Sequence, residues 1–171
     1  MIVHEVCRQF LADCGVNSDR LALEWASAAE APRFVELITA YVKKAKELGP
    51  LGSYEGEVDP ATMRRRLQAA VDAASARKPR TATGNLAKRL AASRDYSPET
   101  ITEGVRDKIL PALRAERIKN EILMVLADAP KDLDSLSAAV GAGTDEVEKA
   151  LAPLLKKGSA REEDGKYVLG S

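Results

Sequence analysis

Few side chains in this sequence could carry out chemistry, and the two cysteines are the first candidates. Cys7 and Cys14 are the only cysteines among 171 residues, and seven positions separate them. That spacing is two helical turns, so it predicts two thiols on one face of a helix rather than a CxxC-type metal or redox pair. The two cysteines are weak candidates for ligands of a metal or cluster shared with a partner, and buried core positions are the alternative.

Other catalytic arrangements are hard to build from these residues. His4 is the only histidine, which argues against a histidine-rich metal site and against Ser/His/Asp or Cys/His machinery. Glu24 and Glu30 lie near Trp25 and could be proposed as an acid/base pair. A carboxylate at the end of a strand and a helix-capping carboxylate explain both residues equally well. The sequence therefore predicts no self-sufficient catalytic site and no cofactor bound by this chain alone.

The N-terminal elements that would position these residues read as helix, strand and helix. Apolar residues at three-and-four spacing predict a helix over residues 2–14. Leu21, Leu23 and Trp25 alternate with Ala22 and Glu24, which predicts a short strand with one buried side.

A convincing second helix follows and ends at the breaker of residues 49–53. Ser27 and Glu30 have the spacing of a capping box, although Pro32 allows the helix to start later. Its apolar face consists of Phe34, Val35, Leu37, Ile38, Tyr41, Val42, Ala45 and Leu48.

The middle region is basic and helical. Asp59-Pro60 predicts one helix start and Ser97-Pro98 another, while residues 78–84 predict an interruption before a short helix that begins near Leu86. Pro111 is expected to kink the last of these helices. The basic residues are Arg64, Arg65, Arg66, Arg77, Lys78, Arg80, Lys88, Arg89 and Arg94.

These cations could follow a nucleic-acid backbone or contact an acidic protein surface. We expect Arg64, Arg65 and Arg66 to be exposed. Aromatic residues for base stacking are absent between Tyr54 and Tyr96, which weakens the single-strand interpretation.

The C-terminal third has the element order of a winged helix-turn-helix. Three helices, the third opening at Thr144, precede an Asp164-Gly165 turn between two short strand-like pieces. DNA binding is the obvious hypothesis for that fold. The third helix, however, begins with carboxylates such as Asp145 and Glu146, and the wing is acidic too, so a protein-docking unit is the favoured interpretation.

The overall prediction is a mainly α fold with a small β component, in three segments. These are an N-terminal helix-strand-helix piece over 1–52, a basic helical middle over 53–116 and a winged-helix-like unit over 117–171. Formal net charge is +0, which argues against general affinity for nucleic acid. No stretch reaches the length of a membrane span and the N-terminus lacks signal-peptide features, so the sequence predicts a cytoplasmic protein.

A family resemblance covers roughly residues 1–52. The segment Leu-Glu-Trp-Ala-Ser-Ala at 23–28, the Phe-Val-Glu helix start at 34–36 and Lys-Glu-Leu-Gly-Pro at 46–50 resemble the C-terminal part of the delta subunit of methyl-viologen-reducing hydrogenases. The resemblance implies an electron-transfer assembly of the heterodisulfide-reductase type, in which that subunit carries electrons over a two-iron, two-sulfur cluster to a flavin-bearing subunit. The cysteine-rich half of the family lies before the matched region, so none of its ligands carries over. Cys7 and Cys14 match no ligand position.

These observations predict an accessory, cluster-less subunit that docks redox partners, with the iron-sulfur cluster and the flavin held by those partner subunits. The alternatives are that the true start lies upstream, or that the chain is a winged-helix nucleic-acid-binding regulatory protein. The expected partner-docking residues are Trp25, Arg33, Phe34, Glu36, Tyr41, Arg64, Arg65 and Arg66.

Overall fold

The protein is mainly helical. The computed structural model describes residues 1–52 and 58–170, and the helices and strands of that part follow. They are α1 (Ile2–Asp13), a 3₁₀ helix (Ser18–Arg20), α2 (Ala31–Leu48), α3 (Pro60–Ala74), α4 (Arg77–Ser93), α5 (Pro98–Lys108), α6 (Leu110–Asp128), α7 (Leu133–Val140), α8 (Thr144–Lys156), β1 (Ala160–Glu163) and β2 (Lys166–Leu169). The predicted fold class is confirmed at this level. Ser53 of the predicted breaker and Tyr54 lie outside the described residues.

Side-chain caps account for the helix starts that the sequence predicted. Asp59 accepts hydrogen bonds from the backbone N–H groups of Ala61 and Thr62, each at 3.0 Å, and Ser97 caps α5. In both cases a proline follows the cap, where its missing N–H costs nothing. The starts at Pro60 and Pro98 are therefore confirmed.

Two predictions of secondary structure in the first hundred residues are wrong. Residues 21–25 form no strand, and Trp25 is 69% exposed, because no described strand lies beside them to satisfy an extended backbone. Residues 78–84 do not interrupt a helix but belong to α4, in which Pro79 is the third residue. Proline is tolerated there because the first N–H groups of a helix have no intrahelical acceptor.

The kink expected at Pro111 coincides with an interruption between two helices. Ile109 lies between α5 and α6, and Pro111 is the second residue of α6. Proline has no N–H to donate and its ring crowds the preceding turn, so the helical hydrogen bonding is interrupted here and α6 begins as a separate helix.

Two apolar clusters hold the helices together, and α6 contributes to both. The first joins α1 and α3–α6 through Phe10, Cys14, Ala70, Ala73, Leu86, Leu90, Ile101, Val105, Ile109 and Leu113. The second joins α6–α8 and β1 through Ile118, Ile122, Val125, Leu126, Leu136, Val140, Val147, Ala150, Leu151, Leu154 and Ala160. The boundary predicted at 116/117 falls inside α6.

The C-terminal unit shows the predicted order of three helices and a hairpin. β1 and β2 pair antiparallel from Ala160 opposite Leu169 to Glu163 opposite Lys166. Asp164 and Gly165 have φ of 51° and 75°, the left-handed conformations of a two-residue hairpin turn. Lys131 exchanges backbone hydrogen bonds with Tyr167 at 3.0 and 2.8 Å. This hairpin is confirmed, while the winged-helix assignment stays a prediction.

A buried ion network joins the two apolar clusters. Arg117 is 1% exposed and Glu121 is 0% exposed, and the Arg117 Nη1 donates to Glu121 Oε2 at 2.7 Å. Arg117 Nε also donates to Asp13 Oδ2 at 3.2 Å. Arg114 pairs with both Asp13 and Glu146. The network therefore ties α1 and α8 to α6.

Two arginines of α3 extend this network, so the expectation that they are exposed is wrong. Arg65 donates to the carbonyl oxygen of Ala139 at 2.7 Å and its Nε lies 3.4 Å from Glu121. Arg66 donates to the carbonyl oxygens of Cys14 and Val140 at 3.5 and 3.4 Å. Both guanidinium groups bind helix-end carbonyls where a cation is favourable.

Candidate partner-docking surface

Helix α2 is attached to the rest of the protein mainly at one end. The guanidinium of Arg20 donates to the carbonyl oxygens of Leu48, Gly49 and Pro50 at 2.9 to 3.0 Å. Tyr41 donates its hydroxyl to the Arg20 carbonyl at 2.6 Å. These bonds satisfy the free carbonyls at the C-terminus of the helix, where positive charge is also favoured. They fix where α2 lies without burying its apolar face.

That apolar face is exposed. Phe34 is 56% exposed, Val35 61%, Ile38 48%, Tyr41 38% and Val42 43%. On a helix, residues three and four apart share a face, so these side chains form one strip. The prediction of an amphipathic helix is confirmed, but the apolar side is not covered by the described part of this chain.

The segment before α2 also exposes large apolar side chains. Trp25 is 69% and Leu23 is 41% exposed. We call the seven residues Leu23, Trp25, Phe34, Val35, Ile38, Tyr41 and Val42 the α2 surface. Within the residues that the structure describes, thirteen large apolar side chains are exposed, and the α2 surface supplies seven of them.

Two depressions border the α2 surface. One, of about 460 Å³, lies between the segment and the helix and is lined by Leu21, Ala22, Glu24, Ala26, Phe34, Leu37, Ile38 and Tyr41. The other, of about 260 Å³, lies between Trp25 and the starts of α1 and α5. Shallow apolar depressions of this kind accept side chains from a protein partner.

The charged residues predicted to dock do not form one group with this surface. Arg33 is exposed and lies 3.5 Å from Glu30, and Glu36 is exposed on the polar side of α2. Arg64 is exposed on α3, whereas Arg65 and Arg66 belong to the internal network. The structure therefore places Phe34 and Tyr41 on one depression and Trp25 on the other, and it assigns two of the three arginines to packing.

Local structure explains one of the two carboxylates considered as an acid/base pair. Glu30 precedes α2 and accepts a hydrogen bond from the backbone N–H of Ser27 at 2.8 Å. This bond and the neighbouring Arg33 lower the pKa of Glu30. Glu24 lines the larger depression beside α2. Glu30 is a structural group at the helix start, which falls at Ala31 as Pro32 allowed.

The two cysteines do not fit an iron-sulfur cluster. Cys14 is 1% exposed, and burial raises the pKa of its thiol to about 11, whereas a cluster ligand is a thiolate. Cys7 is exposed and Cys14 lies buried just past the end of α1, so the two thiols have different surroundings. Within the described residues, no three His, Cys, Asp or Glu side chains are grouped to hold a metal ion.

Arg20, which anchors α2, is a residue of this region that sequence reasoning missed. It anchors α2 from a position 28 to 30 residues earlier in the chain. No local pattern marks such a contact, because it depends on how the chain folds back between the two positions.

Comparison with known proteins finds a family match in the N-terminal region. Residues 3–49 match the family "Methyl-viologen-reducing hydrogenase, delta subunit". This supports the resemblance. The matched segment runs from α1 to the end of α2 and contains the whole α2 surface.

Two curated relatives match over the same length, and both are A subunits of heterodisulfide reductases. One belongs to the ferredoxin:CoB-CoM heterodisulfide reductase of Methanosarcina mazei, with 41% identity over 49 residues. The other belongs to the ferredoxin/F(420)H(2)-dependent CoB-CoM heterodisulfide reductase of Methanosarcina acetivorans, with 37% identity over 49 residues. Each match covers 29% of this chain and 6% of the relative.

No solved structure matches the chain. Within the described residues, no helix is long and apolar enough to cross a membrane.

Proposed function

We propose that this chain is an accessory subunit of a heterodisulfide-reductase-type electron-transfer complex. It binds no cluster of its own and docks redox subunits through the α2 surface. The iron-sulfur cluster and the flavin belong to those partners. The cytoplasmic location expected from the sequence is part of the same proposal.

The observation that carries this proposal is the coincidence of the matched segment with the α2 surface. Residues 3–49 match a hydrogenase subunit family, and 49 residues of the chain are similar to A subunits of heterodisulfide reductases, yet the apolar strip of α2 is exposed in this chain. If an aromatic side chain offers roughly 200 Å², the exposed parts of Phe34 and Tyr41 alone amount to about 190 Å². Val35, Ile38 and Val42 lie on the same strip, and a continuous apolar patch of this kind is typical of a binding site.

Docking would affect electron transfer by setting the distance between two redox centres. A subunit that contributes only surface can hold two redox centres of its partners close and in a fixed orientation. The anchoring of α2 through Arg20 supports this role, because it fixes the C-terminal end of the docking helix relative to the 3₁₀ helix that follows α1.

The alternative of a nucleic-acid-binding regulator has one structural observation behind it. The hairpin and the Lys131–Tyr167 bridge suit a winged helix. Against it, α8 begins with Asp145 and Glu146, and the hairpin carries Glu162 and Glu163. Carboxylates at these places repel phosphates, so this function is less well supported.

The test is anaerobic affinity purification of the full chain, followed by mass spectrometry and iron and flavin analysis. We expect redox subunits carrying iron and flavin to accompany the chain. The double variant Phe34→Ser/Ile38→Ser should lose them, because it removes apolar contact from the centre of the surface.

Val71→Ser is the matched control, because Val71 is 62% exposed on α3, away from the α2 surface. It should retain the partners. Recovery of the chain alone or with nucleic acid, or equal retention by the double variant and the control, would contradict the proposal.

A further inference from the structure

The outward face of α4 is a second interaction surface. Residues 77–94 contain six cations and no carboxylate. Pro79, Leu86 and Leu90 bury the inner side of the helix. Arg77, Lys78, Arg80, Lys88 and Arg89 are all exposed. We call these five cations and the residues between them the α4 face.

The cations of the α4 face have little compensation from the rest of the chain. Among the described residues, none of the five has a carboxylate within salt-bridge distance. Asp107 of neighbouring α5 pairs with Arg106, and its pKa is lowered by Arg106 first and by Arg89 to a smaller extent. Arg77, Lys78, Arg80 and Lys88 are therefore the uncompensated part of the face.

The spacing of these charges defines a strip that a partner can contact. Arg77 and Lys88 are eleven residues apart, which is about 16 Å along a helix. Thr81, Gly84 and Asn85 lie between them and are exposed. Their side chains are small, so a partner backbone can approach closely between the flanking cations.

The start of α4 is shaped for carboxylates. Ser75, Arg77, Arg80 and Thr81 line a depression of about 460 Å³. Two guanidinium groups with two hydroxyl groups offer several donors to a carboxylate oxygen. Cations in the first turn of a helix also oppose its dipole, so an anionic partner would relieve an unfavourable arrangement.

We propose that the α4 face binds an acidic surface of another protein. The observations favour protein over nucleic acid, because the chain has net charge +0 and its C-terminal unit presents carboxylates at α8 and the hairpin. The acidic starts of α8 and of the hairpin offer a duplex no second cationic contact. The inference goes beyond the proposed function, since it depends on α4 alone and does not involve the α2 surface.

The test measures binding of the full chain to a helical peptide of glutamate and alanine, with a glutamine and alanine peptide and a short DNA duplex as separate probes. The triple variant Arg77→Gln/Arg80→Gln/Lys88→Gln should bind the acidic peptide about tenfold more weakly, because three exposed ion pairs are lost. Its affinity should also depend less on salt. Circular dichroism is the check that the variant is folded.

Lys149→Gln/Lys156→Gln/Lys157→Gln on and beside α8 removes the same charge and should bind like the wild type. Three results overturn the proposal. The first is that both triple variants bind the acidic peptide equally weakly. The second is that the wild type binds the neutral and acidic peptides equally. The third is that the wild type binds the duplex more tightly than the acidic peptide and loses that binding in the Arg77, Arg80 and Lys88 variant. Because no redox subunit enters this assay, its failure is distinct from failure of the proposed function.

Discussion

Replacement of Arg117 by methionine should destabilise the protein strongly. Arg117 is 1% exposed and supplies the short contact to Glu121, at 2.7 Å. After the change, Glu121 stays buried with only Arg65 and Arg66, whose Nε atoms lie at 3.4 and 3.8 Å. Breaking a buried ion pair from one side costs about 3–5 kcal/mol. Since Arg114 still neutralises Asp13, we expect a loss at the lower end of that range, about 3 kcal/mol.

The measurement is urea unfolding at neutral pH, followed by circular dichroism. A loss of about 3 kcal/mol in the free energy of unfolding corresponds to a lower Tm by roughly 6–12 °C for a chain of this size. The double variant Arg117→Met/Glu121→Leu removes both buried charges and should recover most of the loss. A loss below about 1 kcal/mol for the single variant, or a double variant no more stable than the single, would refute the reasoning.

Three further predictions concern other parts of the chain. The hydrogen bonds from the neighbouring Arg8 lower the pKa of Glu5 to about 2. Ionised Glu5 therefore stabilises the fold at pH values above its ordinary pKa, and this stabilisation is lost as pH falls towards 2. In unfolding measurements, Glu5→Gln should cost about 2 kcal/mol at pH 7 and almost nothing at pH 2. In a thiol-reagent assay Cys7 should react at once and Cys14 only after unfolding, because burial keeps Cys14 protonated; simultaneous reaction would contradict this. Gly141→Ala should lower Tm more than Gly158→Ala, since both have positive φ but only at Gly141 would the new Cβ meet a guanidinium nitrogen, at 2.7 Å.

Features written in short stretches of sequence were predictable. The caps at Asp59 and Ser97 and the Asp164-Gly165 turn depend on neighbours within three residues, so local chemistry decides them. The amphipathic pattern of α2 was visible for the same reason.

The predictions that failed concern structure that depends on contacts between residues far apart in the sequence. Alternation at residues 21–25 resembles a strand, but a strand needs a partner, and no described strand lies beside this segment. The run Arg64–Arg66 suggests an exposed patch, yet Glu121, more than fifty residues later, and the carbonyls at the end of α7 draw Arg65 and Arg66 inward. The sequence pointed to Trp25, Phe34 and Tyr41 because they are large apolar residues next to the family motif, and all three are exposed.

The single-ended attachment of α2 has a consequence for how its backbone exchanges hydrogen with water. A helix held by Arg20 at one end, with most of its length exposed, can open without disturbing the core, so its amide protons should exchange far faster than those of α6. Covering the apolar strip would suppress these openings. Slowed exchange confined to residues 31–48 would therefore map partner contact residue by residue, even for a partner too weakly bound to survive purification.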